Sequence, residues 1–386
     1  MIPIKNCENL EIREFYLRRY NKCFKEAFDK CIKSTKKINI NSMKIDVHIL
    51  LCCIIILLTP LKVKSQDIHF SQFFEAPLLR NPALAGLFAG DVRLQSVYKN
   101  QWQSVSVPYQ TVSLNGEYKL SIKNSQDYLT IGAQVLYDKA GTIALTATHI
   151  LPAINYHKSL SDVRSMYISL GFIGGMVQRR LDRSKITTNS QFDGTNYNGA
   201  IPDGETFGKS SYTYFDGTAG MSFNTQIGTN VNDNIYLGAS YHHFNKAPKI
   251  SFYGTANLEM IPKWVYSAGI KKSTSDNTYF TIEADYTKQG VYSELIGSMI
   301  CSYKLDDADE PRYLIHGGAA LRWNDAFIPM AKLEVKPLAI SLSYDINISK
   351  LATASSGRGG FELGISYQKY INKDNTSKEA VRCPRF

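Results

Sequence analysis

After residue 92 the chain alternates again and again: in run after run large apolar side chains recur at every second position, and small or polar ones fill the gaps. Met166, Ile168, Leu170 and Phe172 are interleaved with Tyr167, Ser169 and Gly171. Leu338, Ile340, Leu342, Tyr344 and Ile346 are set against Ala339, Ser341, Ser343, Asp345 and Asn347. Phe361, Leu363, Ile365 and Tyr367 are set against Glu362, Gly364, Ser366 and Gln368. Period 2 is the signature of a strand with two unlike faces. A soluble two-layer sandwich alternates as well. Three features favour a transmembrane barrel instead. The segments have the length needed to cross a bilayer at a tilt. Their second face is Gly, Ser, Thr and Asn with scattered charge. Tyr and Trp gather at the segment ends, as interface girdles do.

Fourteen strands are expected, at 93–99, 110–120, 128–137, 143–155, 165–177, 212–224, 234–243, 264–271, 278–286, 291–302, 312–322, 327–335, 338–348 and 360–370. The fold class is therefore all-β, an outer-membrane barrel over 93–370, and an even strand count is what bacterial single-chain barrels have. The longest connections are 178–211, 244–263, 349–359 and 100–109. All four are odd-numbered in chain order, so all lie on one side, as the long extracellular loops of such barrels do. The first exported segment, 66–92, and the tail, 371–386, then both lie on the periplasmic side.

A helical membrane protein is excluded, because only one stretch, around residues 47–61, approaches 20 apolar residues. Its core, Ile49–Leu58, has signal-peptide length, with Lys44 before it and Lys62 and Lys64 after. Met43 is placed to start a signal of ordinary length, so 43–65 is expected to be a cleaved signal peptide and 1–42 an upstream extension. A genuine cytosolic extension is the alternative. Cleavage is expected near Ser65-Gln66. Cys52 and Cys53 sit too early in the apolar core for a lipoprotein signal. The net charge of +10 belongs mostly to this end, since residues 66–386 hold 31 Lys and Arg against 28 Asp and Glu. Nucleic acid is not an expected partner, because binding it needs a basic patch on the folded domain. Only Cys301 and Cys383 follow residue 65, too few for a disulfide framework.

An ordered set of short motifs runs through the exported chain: Asp67-Ile68-His69-Phe70-Ser71-Gln72-Phe73, Asn81-Pro82-Ala83-Leu84-Ala85-Gly86, Arg93, Tyr98-Lys99-Asn100-Gln101-Trp102 and Pro108-Tyr109. Further on come Tyr241-His242-His243-Phe244-Asn245-Lys246, Leu321-Arg322-Trp323-Asn324-Asp325-Ala326 and Leu342-Ser343-Tyr344-Asp345. Gly359-Gly360-Phe361-Glu362-Leu363 and Cys383-Pro384-Arg385-Phe386 close the set. Taken together these resemble the PorP/SprF family of type IX secretion system membrane proteins over essentially all of 66–386. The resemblance implies an outer-membrane barrel tied to protein export or gliding motility in Bacteroidetes, working beside periplasmic machinery. It implies service of a surface adhesin in some members, and no catalytic activity.

The residues themselves add detail. Pro82 pushes Asn81 out of the helical region, and Gly86 permits a backbone conformation closed to other residues. The segment 67–92 is thus expected to be a compact element, either a seal for the barrel end or a docking element at its periplasmic mouth. The docking candidates are Phe70, Ser71, Gln72, Phe73, Asn81, Pro82 and Gly86, with Phe70, Phe73 and Phe74 read as exposed aromatics. Tyr98 and Trp102 are expected in the interface girdle. His242 and His243 are not expected to share a metal, because adjacent strand residues face opposite sides. Asp193–Gly199 has a calcium-loop flavour but lacks its series of carboxylates. No catalytic motif follows the signal. Glu283, Asp285, Asp345 and Glu362 read as ordinary lumen charges. The expected role is a non-enzymatic component of type IX secretion or gliding, with no cofactor. Its expected partners are other secretion components, a large secreted adhesin and membrane lipid. A porin-like solute channel and an outer-membrane enzyme are the alternatives.

Overall fold

A computed structural model describes residues 67–103, 107–123, 125–161, 164–230, 232–245, 252, 260–307, 311–350 and 352–371. The expectations for 1–42, for the signal at 43–65 and for the tail beyond Ile371 fall outside the described residues. The strands are β1 (Val92–Gln101), β2 (Tyr109–Ser121), β3 (Tyr128–Ala140), β4 (Leu145–Ser161), β5 (Met166–Arg180), β6 (Ser211–Gln226) and β7 (Asn234–His242). They continue with β8 (Lys263–Ser273), β9 (Thr278–Gln289), β10 (Tyr292–Lys304), β11 (Tyr313–Arg322), β12 (Ala326–Val335), β13 (Leu338–Asn347) and β14 (Arg358–Lys369). Each pairs antiparallel with its neighbours in sequence, and β1 pairs with β14, closing a 14-strand barrel. Every expected strand is present. The largest boundary difference is the end of β4, expected at 155 and found at Ser161. The ladder continues past the apolar alternation because backbone pairing does not need a lipid-facing side chain.

The alternation decides which way each side chain points. Leu170 is 54% exposed on the outer wall and its neighbour Ser169 only 1% exposed in the lumen. Along β13, Leu338, Ile340, Leu342, Tyr344 and Ile346 face out, while Ala339, Ser341, Ser343, Asp345 and Asn347 are buried within. An apolar exterior on a closed sheet satisfies both demands of a bilayer: apolar contact and no unpaired backbone edge. Trp102, Trp264 and Trp323 all lie at the end that carries the long loops. Tyr118, Tyr156, Tyr303 and Tyr313 are exposed near the short-turn end.

Residues 67–91 occupy the inside of this barrel. The segment starts near the long-loop end, where Asp67 meets Lys263 at the start of β8. It descends through three short helical turns, Phe73–Glu75, Pro77–Arg80 and Pro82–Leu84. It reaches the short-turn end at Asp91, whose N–H donates to the Lys369 carbonyl at 2.9 Å. Its apolar side chains form the core: Phe73 packs with Ile296, Ala320, Ile328 and Met330, and Phe70 with Ala76, Val97 and Leu136. Phe70 and Phe73 are 3% and 4% exposed, which corrects the expectation of exposed aromatics. The inward strand positions here are small or apolar, so the lumen offers these rings a dry seat instead of water.

Candidate functional site

The site is the interface between the N-terminal segment and the lumen wall, and it is built mainly from backbone groups that a plug must satisfy somewhere. Three helical turns in so short a stretch leave many N–H and C=O groups without helical partners. The wall supplies those partners. Glu362 on β14 accepts the consecutive N–H groups of Ser71 and Gln72 at 2.7 and 2.8 Å, one on each carboxylate oxygen. Lys99, directly opposite Glu362 across the β1–β14 seam, places Nζ 3.3 Å from the same carboxylate. Gln72 donates from its amide to the Glu362 carbonyl and to Ser343, and the Ser71 hydroxyl donates to Asp345 at 2.8 Å. Arg322 lies 3.3 Å from Asp345 and completes this cluster.

A second anchor is Arg80 at the end of its helical turn. Its guanidinium forms a bidentate pair with Asp285 at 2.6 Å for both contacts, donates to the Tyr236 hydroxyl at 2.8 Å and stacks 4.6 Å from the Phe73 ring centre. Burial alone would lower its pKa, but Asp285, Tyr236 and Glu283 overcome that and hold it well above the ordinary arginine value. Glu75 is likewise buried, and Lys332 and Gln95 keep it below the usual carboxylate range against that burial.

The third anchor is steric. Gly171 and Gly220 are cross-strand partners on β5 and β6, and Gly238 lies diagonally on β7. Together they leave a shallow seat where Asn81, Pro82 and Ala83 lie. A methyl carbon at Gly171 would stand 2.5 Å from the Ala83 nitrogen, and one at Gly238 would stand 2.8 Å from the Asn81 amide nitrogen. Asn81 is extended (φ −160°, ψ 119°), as a residue before proline should be, and its side chain accepts from the Ala83 N–H at 2.8 Å and donates to the Met221 carbonyl at 3.0 Å. Asn155 and Ser222 donate to the Ala83 carbonyl. Gly86 has φ +82°, and its N–H donates to Glu117, itself paired with Arg93 at 2.7 Å. All seven docking candidates thus lie in the lumen, in contact with the wall.

At the long-loop end the segment is latched by charge. His243 places Nδ1 2.8 Å from Asp216 and Nε2 3.4 Å from Asp67, whose other partner is Lys263. Burial opposes protonation, yet the two carboxylates raise the His243 pKa to about 9. Asp67 is held well below the ordinary carboxylate value despite its own burial, by Lys263 and His243. His243 has φ +59°, so its backbone leaves the strand conformation and its side chain turns into the lumen beside His242. The expectation that the two histidines face opposite sides fails for that reason. His242 contacts Ser240, Thr218 and the Arg80 carbonyl. Among the described residues no three potential metal ligands gather. In the 193–199 loop, Asp193 accepts from the N–H groups of Thr195 and Asn196, an ordinary side-chain-capped turn. Tyr98 faces outward against Phe361, with ring centres 5.8 Å apart, and Trp102 packs edge-on against Tyr109 at 5.1 Å.

Between the segment and the wall a cavity of about 1000 Å³ reaches the short-turn end. Phe74, Leu84 and Leu87 of the segment form part of its inner wall, and Lys271, Lys304, Arg312, Lys336 and Lys369 stand at its mouth.

Sequence reasoning named the segment's side as docking candidates and read Asp285, Asp345 and Glu362 of the wall only as ordinary lumen charges, whereas they hold the segment. Arg80, Glu117, Asn155, Gly171, Gly220, Tyr236 and Arg322 were not singled out as site residues. Alternation does put the strand members among them on the inward face. Motifs scattered along the chain are one contact surface: Ser71-Gln72 meets Ser343, Asp345 and Glu362, and Asp67 meets His243.

The profile described as "Type IX secretion system membrane protein PorP/SprF" matches residues 62–367. No curated protein matches. Among solved structures, the chain is similar to the toluene transporter TbuX of Ralstonia pickettii, with TM-score 0.45, 10% identity and coverage of 77% of this chain and 94% of that one. It is also similar to a FadL homologue of Pseudomonas aeruginosa (TM-score 0.42, 10% identity, 75% and 92% covered). The KdgM porin gives TM-score 0.32 and 8% identity, with 72% and 99% covered.

Proposed function

Because the chain belongs to the PorP/SprF family of type IX secretion system membrane proteins and is a closed transmembrane barrel of the outer membrane, we propose that it is a plugged, non-catalytic scaffold of that system. It anchors periplasmic machinery or retains an exported adhesin at the surface. One observation carries this reading: Ser71-Gln72, Asn81-Pro82, His243, Asp345 and Glu362, which come from separate motifs of the family resemblance, meet at the contact between the N-terminal segment and the lumen wall. Residues spent on holding a plug are not free to line a solute path. The lumen carboxylates named above are engaged with that plug, Glu362 and Asp345 with Ser71, and Asp285 with Arg80. The long loops belong to the extracellular side and the short turns to the periplasmic side, so the cavity mouth faces the periplasm.

The test pairs two readouts on a deletion strain complemented with the intact chain. Surface display of exported protein, or gliding, is expected to disappear on deletion and return on complementation. The purified barrel is expected to give no steady conductance in planar bilayers. Normal export in the deletion strain, together with sustained single-channel steps, would instead establish a solute channel.

A further inference from the structure

We infer that the cavity at the short-turn end is the seat of the chain's own C-terminal residues 372–386. β14 ends at Lys369, and the chain then turns inward. Tyr370 packs against Tyr128 and Tyr167, buried lumen-facing side chains at the starts of β3 and β5. Around the ring β3 lies three strands from β14, and β5 lies five. Neighbouring strands are about 4.8 Å apart, so Tyr370 reaches these rings across the mouth and not along the wall. The Ile371 N–H then donates to Asp91 at 2.7 Å, beside the junction of the plug with β1. Gln368, Lys369 and Tyr370 also line the cavity. The chain therefore enters the segment 372–386 already inside the opening.

Length and chemistry suit the segment to the cavity. Residues 372–386, at about 3.3 Å each, reach roughly 50 Å. Fourteen tilted strands make a mouth roughly 30 Å across, so the segment can cross it and turn back. Its large apolar side chains, Val381 and Phe386, come late in the segment. The cavity offers them an apolar floor of Phe74, Leu84, Leu87, Ile300, Leu314 and Met330 within about 1000 Å³. Its mouth carries both signs. Lys304 and Arg312 stand with Asp276, Asp306 and Asp307 on two adjacent turns, and Lys304 joins the turns by donating to the Asp276 carbonyl at 2.9 Å. An occupant of one sign meets like charge there. The segment carries both, with Lys373, Lys378, Arg382 and Arg385 against Asp374 and Glu379. A tethered occupant also has an effective concentration in roughly the millimolar range, so shallow contacts are enough to hold it. Both ends of the exported chain then close the lumen, 67–91 from within and 372–386 across the short-turn mouth.

Cys383 gives the segment a native thiol for the test. The full chain in detergent micelles, carrying Cys301→Ser and Leu314→Cys, is oxidised and digested, and mass spectrometry identifies the linked peptides. A disulfide between positions 314 and 383 is expected. None is expected from Leu333→Cys, which stands on the outer wall at the same end. Heat-modifiable migration confirms each barrel, and Thr281→Cys, also on the cavity lining, replaces Leu314→Cys if that variant does not fold. In a Cys383→Ser background the introduced thiol is then labelled with a maleimide. Removing residues 372–386 is expected to quicken labelling about tenfold, the release from a contact of roughly 0.1 mM affinity held at a millimolar effective concentration. No link from the cavity position, equal linking from position 333, or labelling unchanged by the truncation would each overturn the seat. Slow labelling that persists after truncation would give the cavity to a separate occupant. The scaffold role is judged by export in the deletion strain and stands or falls separately.

Discussion

A carboxylate with two backbone N–H groups on it and a lysine beside it is a strong and demanding arrangement, and Glu362 is fully buried in one. Its removal by Glu362→Ala leaves the Ser71 and Gln72 amides without their acceptors, at about 1–3 kcal/mol for each buried donor. Amide exchange over residues 70–73 is expected to quicken by at least about tenfold, with strand amides unchanged. Uniform acceleration across the barrel would show that Glu362 holds the wall and not the plug. His243 makes the latch pH-sensitive. Its pKa is raised from 6.5 to about 9, so its contribution is complete below about pH 6.5 and is lost as pH rises through about 9. Asp67 is lowered below 3.8, so its contribution is complete above that value and is lost as pH falls through its depressed pKa. Protease cleavage near residue 67 is therefore expected to rise between pH 7 and pH 10 in the wild type. His243→Gln should cleave readily at both values, and a pH response persisting in that variant would assign it elsewhere.

At the level of strands the sequence was most readable. Lipid on one side and a packed lumen on the other impose opposite chemistry on successive residues, so period and facing came together. What alternation cannot reveal is the lumen's occupant: Ser169 reads as polar-facing whether water or protein lies beyond it. In the structure Ser169 donates to or accepts from His157 at 2.7 Å, next to the seat of Gly86. Leu170→Arg is expected to impair insertion, at about 2–4 kcal/mol for a charge on the lipid face. Ser169→Arg should insert normally yet displace the plug, seen as normal heat-modifiable migration with new protease sensitivity in 67–91. Equal loss of insertion in both variants would contradict the assigned facing. The short helical turns of 73–84 were less legible, because each is too short to carry a periodicity of its own.

For the whole molecule, the depth of the N-terminal segment was the feature the sequence concealed. Phe70 and Phe73 look the same to composition whether they cover a mouth or fill a barrel. Only partners some 290 residues away, Glu362 for Ser71, distinguish the two. The buried Arg80–Asp285 pair offers a direct check on how firmly the barrel is closed. Arg80→Ala leaves Asp285 uncompensated, and losing one partner of a buried pair costs about 3–5 kcal/mol. Planar-bilayer recordings are expected to show conductance in this variant and none in wild type. Silence in both would mean that the remaining anchors suffice. The distance along the chain between Ser71 and Glu362 also sets the order of assembly. The plug is made first, but its carboxylate acceptor lies on the last strand, beside the seam where β1 meets β14. Contacts this remote form late and slowly. Until the last strand pairs, residues 67–91 therefore remain an unseated, aromatic-rich segment, a form prone to aggregation. Because the acceptor of Ser71 and Gln72 belongs to the strand that closes the ring, closing the barrel and seating the plug are coupled in one event.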